Sequence, residues 1–293
     1  MTTTTPPQTR REECARGITA GIESGESPEK KVKMAGVTDK MTVVSAPGKV
    51  MVAGGYVVLE RPNAALVAAV SARVYCVVTS SKRTSPGTPE IKVEVRSPQL
   101  EENRSYSVTA NGAESVAIER AEEMARNPYI ETTIANTFAI VAHVHGPDAE
   151  LLDTVIVVRG DNAFYNVSDT PDGAEVPRFA KISRSTGAGK HAADVPKTGL
   201  GSSAALVTSL TASLLAHYGV VALPAADGVA GTAGSAPDRR AAAFEGEQAL
   251  TLVHNLAQYC HCAAQGKIGS GFDVASAVYG SIRSPPPPPP PPP

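Results

Sequence analysis

Two glycines and two serines between Lys197 and Ala205 have the types and spacing of a phosphate-binding turn. Gly199 and Gly201 carry no side chain, so the backbone can bend sharply there and approach a ligand closely. Apolar residues at helical spacing predict a helix over residues 204–218. A glycine turn that runs into a helix directs N–H groups and the positive end of the helix dipole to one point, which suits a phosphate. The same residues also suit an ordinary helix capped by one of the two serines.

The spacing of this turn differs from that of two better-known phosphate loops. A Walker A loop is excluded, because the nearest candidate, Gly189-Lys190, lacks both the first glycine and the final hydroxyl residue. A dinucleotide fingerprint matches at Gly199 and Gly201 but has Ala204 at the third glycine position, which some versions admit. No clear strand leads into the turn. A dinucleotide site therefore stays open as an alternative.

Composition narrows the class of protein. A chain of 293 residues can bury one large core or two modest ones. A net charge of −2 argues against attraction of the whole chain to nucleic acid or an anionic membrane. No run approaches the roughly 18 apolar residues of a membrane helix, and residues 1–11 lack the apolar core of a secretory signal. We expect a cytoplasmic protein with a small-molecule partner, no nucleic-acid or membrane partner, and an oligomeric state left open.

Two of the four cysteines flank a histidine in Cys260-His261-Cys262, a group that suggests a metal site. The composition predicts a helix through residues 249–265, and residues two apart on a helix point about 200° away from each other. The C-x-C spacing also lacks the second ligand pair of zinc sites. We therefore expect reduced thiols, as in cytosolic proteins.

Three regions of different composition divide the chain. Residues 1–40 are rich in Thr, Glu, Lys and Gly and are expected to be a disordered extension. Residues 41–283 contain the apolar runs and are expected to fold. Residues 284–293, a serine and nine prolines, are expected to form a polyproline II tail outside any packed core.

Apolar patterns predict strands and helices in mixed order within the folded region. The predicted strands lie on both sides of Pro47-Gly48, in the second half of 66–80, at 91–95 and at 154–159. The predicted helices lie at 113–126, 129–145, 204–218 and, interrupted near Gly246, 238–265, with Asn127-Pro128 as the break between the first two. Residues 161–196 are expected to form a long loop that ends at the phosphate turn, and residues 222–237 an insertion.

Three stretches resemble the signature motifs of the GHMP kinases, a family that includes galactokinase, homoserine kinase, mevalonate kinase and phosphomevalonate kinase. The phosphate turn resembles the second motif, and Ser45-Ala-Pro-Gly-Lys-Val50, with its continuation to residue 60, resembles the first. Gly269-Ser-Gly-Phe-Asp-Val-Ala-Ser-Ala-Val-Tyr-Gly280 resembles the segment with the family's catalytic aspartate. Ala53-Gly-Gly-Tyr56 and residues 160–166 are most similar to the fungal and plant branch that acts on 5-phosphomevalonate.

This resemblance implies an α+β fold in which residues 41–283 form a GHMP-kinase N-terminal domain, similar to domain 2 of ribosomal protein S5. We expect the family's C-terminal domain to be largely absent from the chain. The resemblance implies an enzyme that uses ATP and Mg²⁺ to phosphorylate 5-phosphomevalonate in isoprenoid synthesis. Another acceptor, mevalonate or a sugar, stays open. So does a truncated remnant that binds nucleotide without catalysis.

The resemblance also implies roles for individual residues. Asp273 matches the catalytic carboxylate, although an aspartate at a glycine turn also stabilises the turn. Lys49 matches the lysine that pairs with that carboxylate and the transferred phosphate, although a lysine at a strand end can face solvent. Ser203 matches the serine that reaches Mg²⁺. The remaining implied contacts are with nucleotide, at Lys197, Thr198, Gly199, Leu200, Gly201, Ser202, Ser203 and Ala204, and with substrate, at Arg73, Tyr165, Ser270 and Gly271.

One position departs from the mevalonate kinases, which carry a Mg²⁺-binding glutamate eleven residues before the catalytic aspartate. That position is Cys262 here, with His261 and Gln265 as its polar neighbours. Either the phosphates and the serine hold the cation, or another acid such as Glu245 or Glu247 completes the site. The departure favours an acceptor other than mevalonate.

Overall fold

The computed structural model describes residues 37–55, 63–85, 88–111, 115–121, 125–146, 150–165, 179–182, 197–224 and 242–284. Residues 1–36 of the extension predicted at 1–40, residues 225–237 of the insertion predicted at 222–237 and the prolines at 285–293 lie outside these residues. The predicted ends of the folded region are wrong by a few residues, because 37–40 belong to the first strand and Ser284 belongs to the last one. Most of the predicted loop at 161–196 lies outside them as well. The described residues form a main sheet with helices packed against one face, so the predicted α+β class is confirmed.

The strands of the described residues are β1 (Val37–Ala53), β2 (Ala65–Ser81), β3 (Glu90–Ser97), β4 (Glu102–Asn111), β5 (Ser115–Arg120), β6 (Asp153–Gly160), β7 (Val221–Ala222), β8 (Phe244–Glu245) and β9 (Ile282–Ser284). The main sheet has the order β1-β2-β6-β3-β4-β5, with β9 paired to the start of β2. Its neighbours are antiparallel except β3 and β6, which are parallel. β7 and β8 form a separate parallel pair.

Alternating side chains on β3 show how the sheet separates core from solvent. Ile91, Val93 and Val95 are buried in the main core, whereas Lys92 is exposed and Glu94 is half-buried. This period of two is that of a strand with one solvated face. The strand predicted at residues 91–95 is confirmed.

The predicted helix at residues 113–126 is wrong. The chain there forms β5, which pairs antiparallel with β4. Val116 and Ile118 pack against the core, and Ala117 and Glu119 between and after them are exposed. Pairing with β4 satisfies the backbone and sends both apolar side chains to the core, which outweighs the helical composition of the segment.

The helices of the described residues are α1 (Pro128–His145), α2 (Ser202–His217), α3 (Gly246–Gln265) and α4 (Phe272–Tyr279). Helix α2 packs on β1 and β2 and contacts the other three helices, with Leu210, Leu214 and Leu215 fully buried. Asn127 caps α1 by accepting a hydrogen bond from Ile130 N–H, so the predicted break before this helix is confirmed. None of the described helices has the length and apolar character needed to span a membrane.

Buried His217, at the end of α2, contacts polar groups of the sheet. Its Nε2 lies 2.9 Å from Ser80 Oγ, and its Nδ1 lies 3.0 Å from Thr42 Oγ1. Burial, and to a smaller extent the nearby Lys40, lowers the pKa of His217 from 6.5 to about 4. As the pH falls, the unfolded chain therefore takes up this proton before the folded chain does.

We expect this difference to make folding stability depend on pH. The contribution of His217 is present above pH 6.5 and is lost as the pH falls toward 4. The loss between pH 7 and pH 5 should be about 2 kcal/mol. Urea unfolding at both pH values measures it, and His217→Asn should remove most of the difference. An unchanged difference in that variant would contradict the assignment to His217.

Candidate active site

The predicted phosphate turn leads into the N-terminus of α2. Gly199 and Gly201 have φ of 80° and 73°, in the left-handed region that glycine adopts without strain. Gly201 is the N-cap residue, and no side chain caps the helix. The interpretation of Ser202 or Ser203 as the cap is therefore wrong, because both lie in the first turn. Their N–H groups precede the first helical hydrogen bond, from Ala205 N–H to Gly201 O, and so point out of the helix end.

The turn is anchored to the short 3-10 helix Asn162–Phe164. Thr198 N–H donates to Phe164 O at 3.1 Å, and Thr198 Oγ1 donates to Ala163 O at 2.6 Å. Phe164 is itself buried, in a small apolar cluster with Ala205 of α2. These contacts hold the turn in its shape through protein groups alone.

Strand β1 approaches the turn so closely that only glycine fits at position 48. A Cβ atom on Gly48 would lie 2.6 Å from Leu200 O and 2.7 Å from Phe164 Cε1. The close approach lets Lys49 N–H donate to Leu200 O at 2.8 Å. The pairing of β1 with β2 shifts register between Pro47 and Lys49, at the point of contact. Strand and turn are therefore joined directly.

The side chain of Lys49 continues along the turn toward α4. A Cβ atom on Gly201 would lie 3.2 Å from both Cγ and Cε of Lys49. Lys49 Nζ lies 5.2 Å from the centre of the Phe272 ring, the residue before Asp273. The structure thus brings together Lys49, the turn and the start of α4. The ammonium group and the helix end both favour an anion at this place.

Asp273 is the second residue of α4, whose N-cap is Gly271 with φ of 75°. Its Oδ1 accepts a hydrogen bond from Val274 N–H at 2.9 Å, so it does stabilise the start of the helix. Its Oδ2 lies 3.8 Å from His261 Nδ1, and the side chain is 26% exposed. One carboxylate oxygen serves the helix end, and the other is directed toward His261.

His261 is a site residue that the sequence indicated only as a neighbour of Cys262. Its Nε2 lies 3.1 Å from Ser203 Oγ, and its Nδ1 faces Asp273. The ring is buried and lies against Tyr129, with ring centroids 5.8 Å apart. Burial lowers the pKa of His261 below its usual 6.5, and Asp273 acts in the opposite direction. One sign of this role is visible in the sequence: His261 directly precedes Cys262, which stands where the mevalonate kinases carry a Mg²⁺-binding glutamate.

The two acids considered for that place lie elsewhere. Glu245 and Glu247 are exposed at the N-terminal end of α3. A helix rises 1.5 Å per residue, which puts Glu247 about 21 Å along the axis from His261. Neither acid can complete a site at Ser203. Within the described residues, no three His, Cys, Asp or Glu side chains gather to hold a metal ion.

The predicted helix around the C-x-C group is confirmed, since Cys260 and Cys262 lie on α3. Cys260 is buried, and burial raises the pKa of its thiol to about 12. Cys262 accepts a hydrogen bond from Gln258 Nε2 at 3.1 Å. Both cysteines are free thiols, as is Cys76.

Arg73 and Tyr165, two of the predicted substrate contacts, already contact other groups of the protein. Arg73 Nε and Nη2 donate to Ser45 Oγ and Ser45 O, each at 2.8 Å, and burial lowers the pKa of Arg73. Tyr165 forms a β-bridge with Lys197, and its ring lies over Gly160. None of these contacts reaches Asp273.

The other predicted contacts lie near the ends of α2 and α4. Ser270 is exposed and precedes Gly271 at the start of α4. Lys197 is exposed just before the turn. The roles of these residues toward substrate and nucleotide stay predictions.

The groups at this site fit a nucleotide phosphate and a divalent cation. The N-terminus of α2 at Gly201 presents backbone N–H donors. A Cβ atom on Gly201 would reduce the space between this helix end and Lys49. Ser203 places a hydroxyl, a hard oxygen ligand, on one side of His261, and Asp273 places a carboxylate on the other side. Lys49 adds a positive charge. Phosphoryl transfer requires these parts: a cradle, a cation and a group beside the acceptor.

No protein-family model matches the chain. Curated relatives do match. The phosphomevalonate kinase ERG8 of Gibberella zeae is 37% identical over 247 residues, which are 82% of this chain and 50% of the relative. The peroxisomal phosphomevalonate kinase of Arabidopsis thaliana is 36% identical over 267 residues, 82% of this chain and 49% of the relative. The chain spans about half the length of the curated relatives it matches.

One solved structure that the chain matches in part is Streptococcus pneumoniae phosphomevalonate kinase in complex with phosphomevalonate and AMPPNP. It matches 80% of this chain and 46% of its own, at 18% identity and a TM-score of 0.42.

Proposed function

We propose, because this chain is related by sequence to the phosphomevalonate kinases, that it carries the nucleotide site and the catalytic aspartate of such an enzyme. The reaction is transfer of the ATP γ-phosphoryl group to 5-phosphomevalonate, which gives 5-diphosphomevalonate and ADP in the mevalonate route to isoprenoids. Residues 41–283 form the domain that holds this site. One arrangement carries the proposal: Lys49 lies along the uncapped start of α2 with its Nζ near Phe272, and the neighbouring Asp273 faces His261, which contacts Ser203 of α2.

The turn and the start of α2 bind the nucleotide phosphates in this proposal. The N–H groups of Ser202, Ser203 and Ala204 donate to phosphate oxygens, and the helix dipole favours their charge. Lys197, Thr198, Gly199, Leu200 and Gly201 form the wall of the cradle. Lys49 neutralises charge on the transferred group. Mg²⁺, when bound, would neutralise charge on the phosphates, and Ser203 Oγ is the protein oxygen that would hold it in this proposal.

Asp273 acts on the acceptor in this proposal. Its Oδ2 is the carboxylate oxygen not used by Val274 N–H, and it lies at the partly exposed start of α4. A carboxylate there positions the acceptor phosphate and, when this phosphate binds as its monoanion, receives the proton of the attacking oxygen. Ser270 and Gly271, beside it in the chain, are the proposed acceptor contacts, with Arg73 and Tyr165 farther away.

The direct test is calorimetric titration of the full chain with AMPPNP and Mg²⁺, followed by measurement of ADP release with ATP, Mg²⁺ and 5-phosphomevalonate. We expect saturable binding that requires Mg²⁺, and acceptor-dependent ADP release. A folded chain that binds no nucleotide would exclude the proposal.

The acceptor gives a separate prediction. We expect kcat/KM for 5-phosphomevalonate to exceed that for mevalonate by at least about tenfold, since a site built for a phosphorylated acceptor leaves polar groups unpaired without it. Parallel assays with both acceptors measure the ratio. A preference for mevalonate would overturn the acceptor while leaving the nucleotide site in place.

The compartment is part of the proposal as well. The cytoplasm is supported by the free thiols of the described cysteines. Since the Arabidopsis relative is named peroxisomal, imaging of the tagged protein beside a peroxisome marker distinguishes the two compartments.

A further inference from the structure

Three helices bring the side chains of Ser203, His261 and Asp273 together. Ser203 lies at the start of α2, His261 in α3 and Asp273 at the start of α4. The imidazole stands between the other two groups, with Nε2 3.1 Å from Ser203 Oγ and Nδ1 3.8 Å from Asp273 Oδ2.

The position of the imidazole proton follows from a third contact. The amide nitrogen of Gln265, one turn farther along α3, lies 3.1 Å from His261 Nε2. With the Gln265 amide oriented so that its NH2 group donates, Nε2 is the acceptor and carries no proton. The proton of the neutral ring is therefore on Nδ1, the atom that faces Asp273.

This tautomer decides what Ser203 can do. With Nε2 unprotonated, the Ser203 hydroxyl is the hydrogen-bond donor in its contact with the ring, and it shares the single lone pair of Nε2 with the Gln265 amide. The lone pairs of the hydroxyl oxygen then remain for a cation or a phosphate-bound ligand. The 3.8 Å between Nδ1 and Oδ2 is longer than a hydrogen bond. It leaves room for the pair to tighten when substrates bind.

The ring is held firmly enough to act as a spacer. His261 is 3% exposed, and the Tyr129 ring lies against it. Rotation of the imidazole would break the contacts to Ser203 and Gln265. A carboxylate at this place would add a second negative charge beside Asp273, which disfavours ionisation of both acids. A neutral ring orients the two groups without that cost.

We propose that His261 is a positioning residue, which holds the Ser203 hydroxyl and the Asp273 carboxylate in fixed relation as the Nδ1–H tautomer. The proposal rests on the proposed function. The two ring nitrogens then have different roles. Nε2 orients the Ser203 hydroxyl, which contacts the cation and the nucleotide, and Nδ1–H orients the Asp273 carboxylate, which contacts the acceptor.

The first test reads the ring without any turnover. Nitrogen NMR of the full chain with ¹⁵N-labelled histidine, with His261→Phe to identify the signal, should show Nδ1 protonated and Nε2 unprotonated. Adding AMPPNP and Mg²⁺ should shift the Nε2 signal, because the Ser203 hydroxyl gains a new partner. A proton on Nε2 would overturn the proposal.

The second test separates the two edges of the ring with three variants. His261→Gln keeps an acceptor near the Nε2 position, and His261→Asn keeps a donor near the Nδ1 position. We expect His261→Gln to lower kcat about tenfold with nucleotide affinity within about threefold of wild type. We expect His261→Asn to weaken nucleotide affinity about tenfold with a smaller effect on kcat. His261→Phe, which keeps the packing on Tyr129, should show both losses.

A matched control lies on the same helix. His254 contacts Tyr279 at 5.3 Å between ring centroids and stands two turns from His261. His254→Gln should leave kcat and nucleotide affinity unchanged. If His261→Gln and His261→Asn change both parameters in parallel, or neither, the positioning role fails while the proposed function stands. If the wild-type chain binds no nucleotide, the proposed function fails and the role of His261 fails with it.

Discussion

Replacing Gly201 with valine is expected to abolish nucleotide binding, with a loss of affinity of at least about a hundredfold. Gly201 has φ of 73°, a conformation that a β-branched residue adopts only with strain. Its Cβ atom would meet Lys49 Cγ and Cε at 3.2 Å, so a larger side chain would disturb both the turn and the lysine beside it. Calorimetric titration with AMPPNP and Mg²⁺ measures the loss.

A glycine at the other end of α2 offers a matched control. Gly219 has φ of 74°, and nothing lies within 4 Å of a Cβ atom built there. Gly219→Val should therefore introduce similar backbone strain, visible in urea unfolding, and keep nucleotide affinity. Unchanged affinity in a folded Gly201→Val variant would mean that the turn is only a helix cap.

Changing Asp273 to asparagine should lower kcat at least about a hundredfold and leave nucleotide affinity near that of wild type. The asparagine oxygen can still accept the hydrogen bond from Val274 N–H, so the start of α4 should be preserved. What is lost is the negative charge opposite His261 and the ability to accept a proton. Steady-state kinetics and nucleotide titration separate the two parameters.

Asp153 supplies the control for this change. Its carboxylate accepts hydrogen bonds from Lys92 N–H at 2.8 Å and Thr84 N–H at 2.7 Å, at the start of β6. Asp153→Asn also removes a charge that backbone amides contact, and it should leave kcat unchanged. A rate for Asp273→Asn within about threefold of wild type would remove Asp273 from the mechanism.

Local patterns predicted the parts of the fold that depend on neighbouring residues. The alternation on β3, the break at Asn127-Pro128 and the glycine turn before α2 each follow from side-chain period or backbone freedom over a few residues. The helix predicted at residues 113–126 was wrong because this segment pairs with β4, and its own composition contains no information about that partner strand.

The candidate site divides in the same way. Lys49, Gly201 and Asp273 could be named because each lies in a motif that can be recognised from a short stretch. His261 could not, since its role depends on contacts with Ser203 and Asp273 that three helices create by packing together. A histidine in a helix carries no sequence sign of which groups its two nitrogens will meet.

At the contact between β1 and the phosphate turn, different residues determine the charge of the site and its shape. The backbone of Lys49 holds the turn through Leu200 O, while its side chain supplies the positive charge. Gly48 next to it has no side chain and decides how near the turn can come. Two adjacent positions therefore control two independent properties, so a substitution at one can alter electrostatics and a substitution at the other can alter geometry.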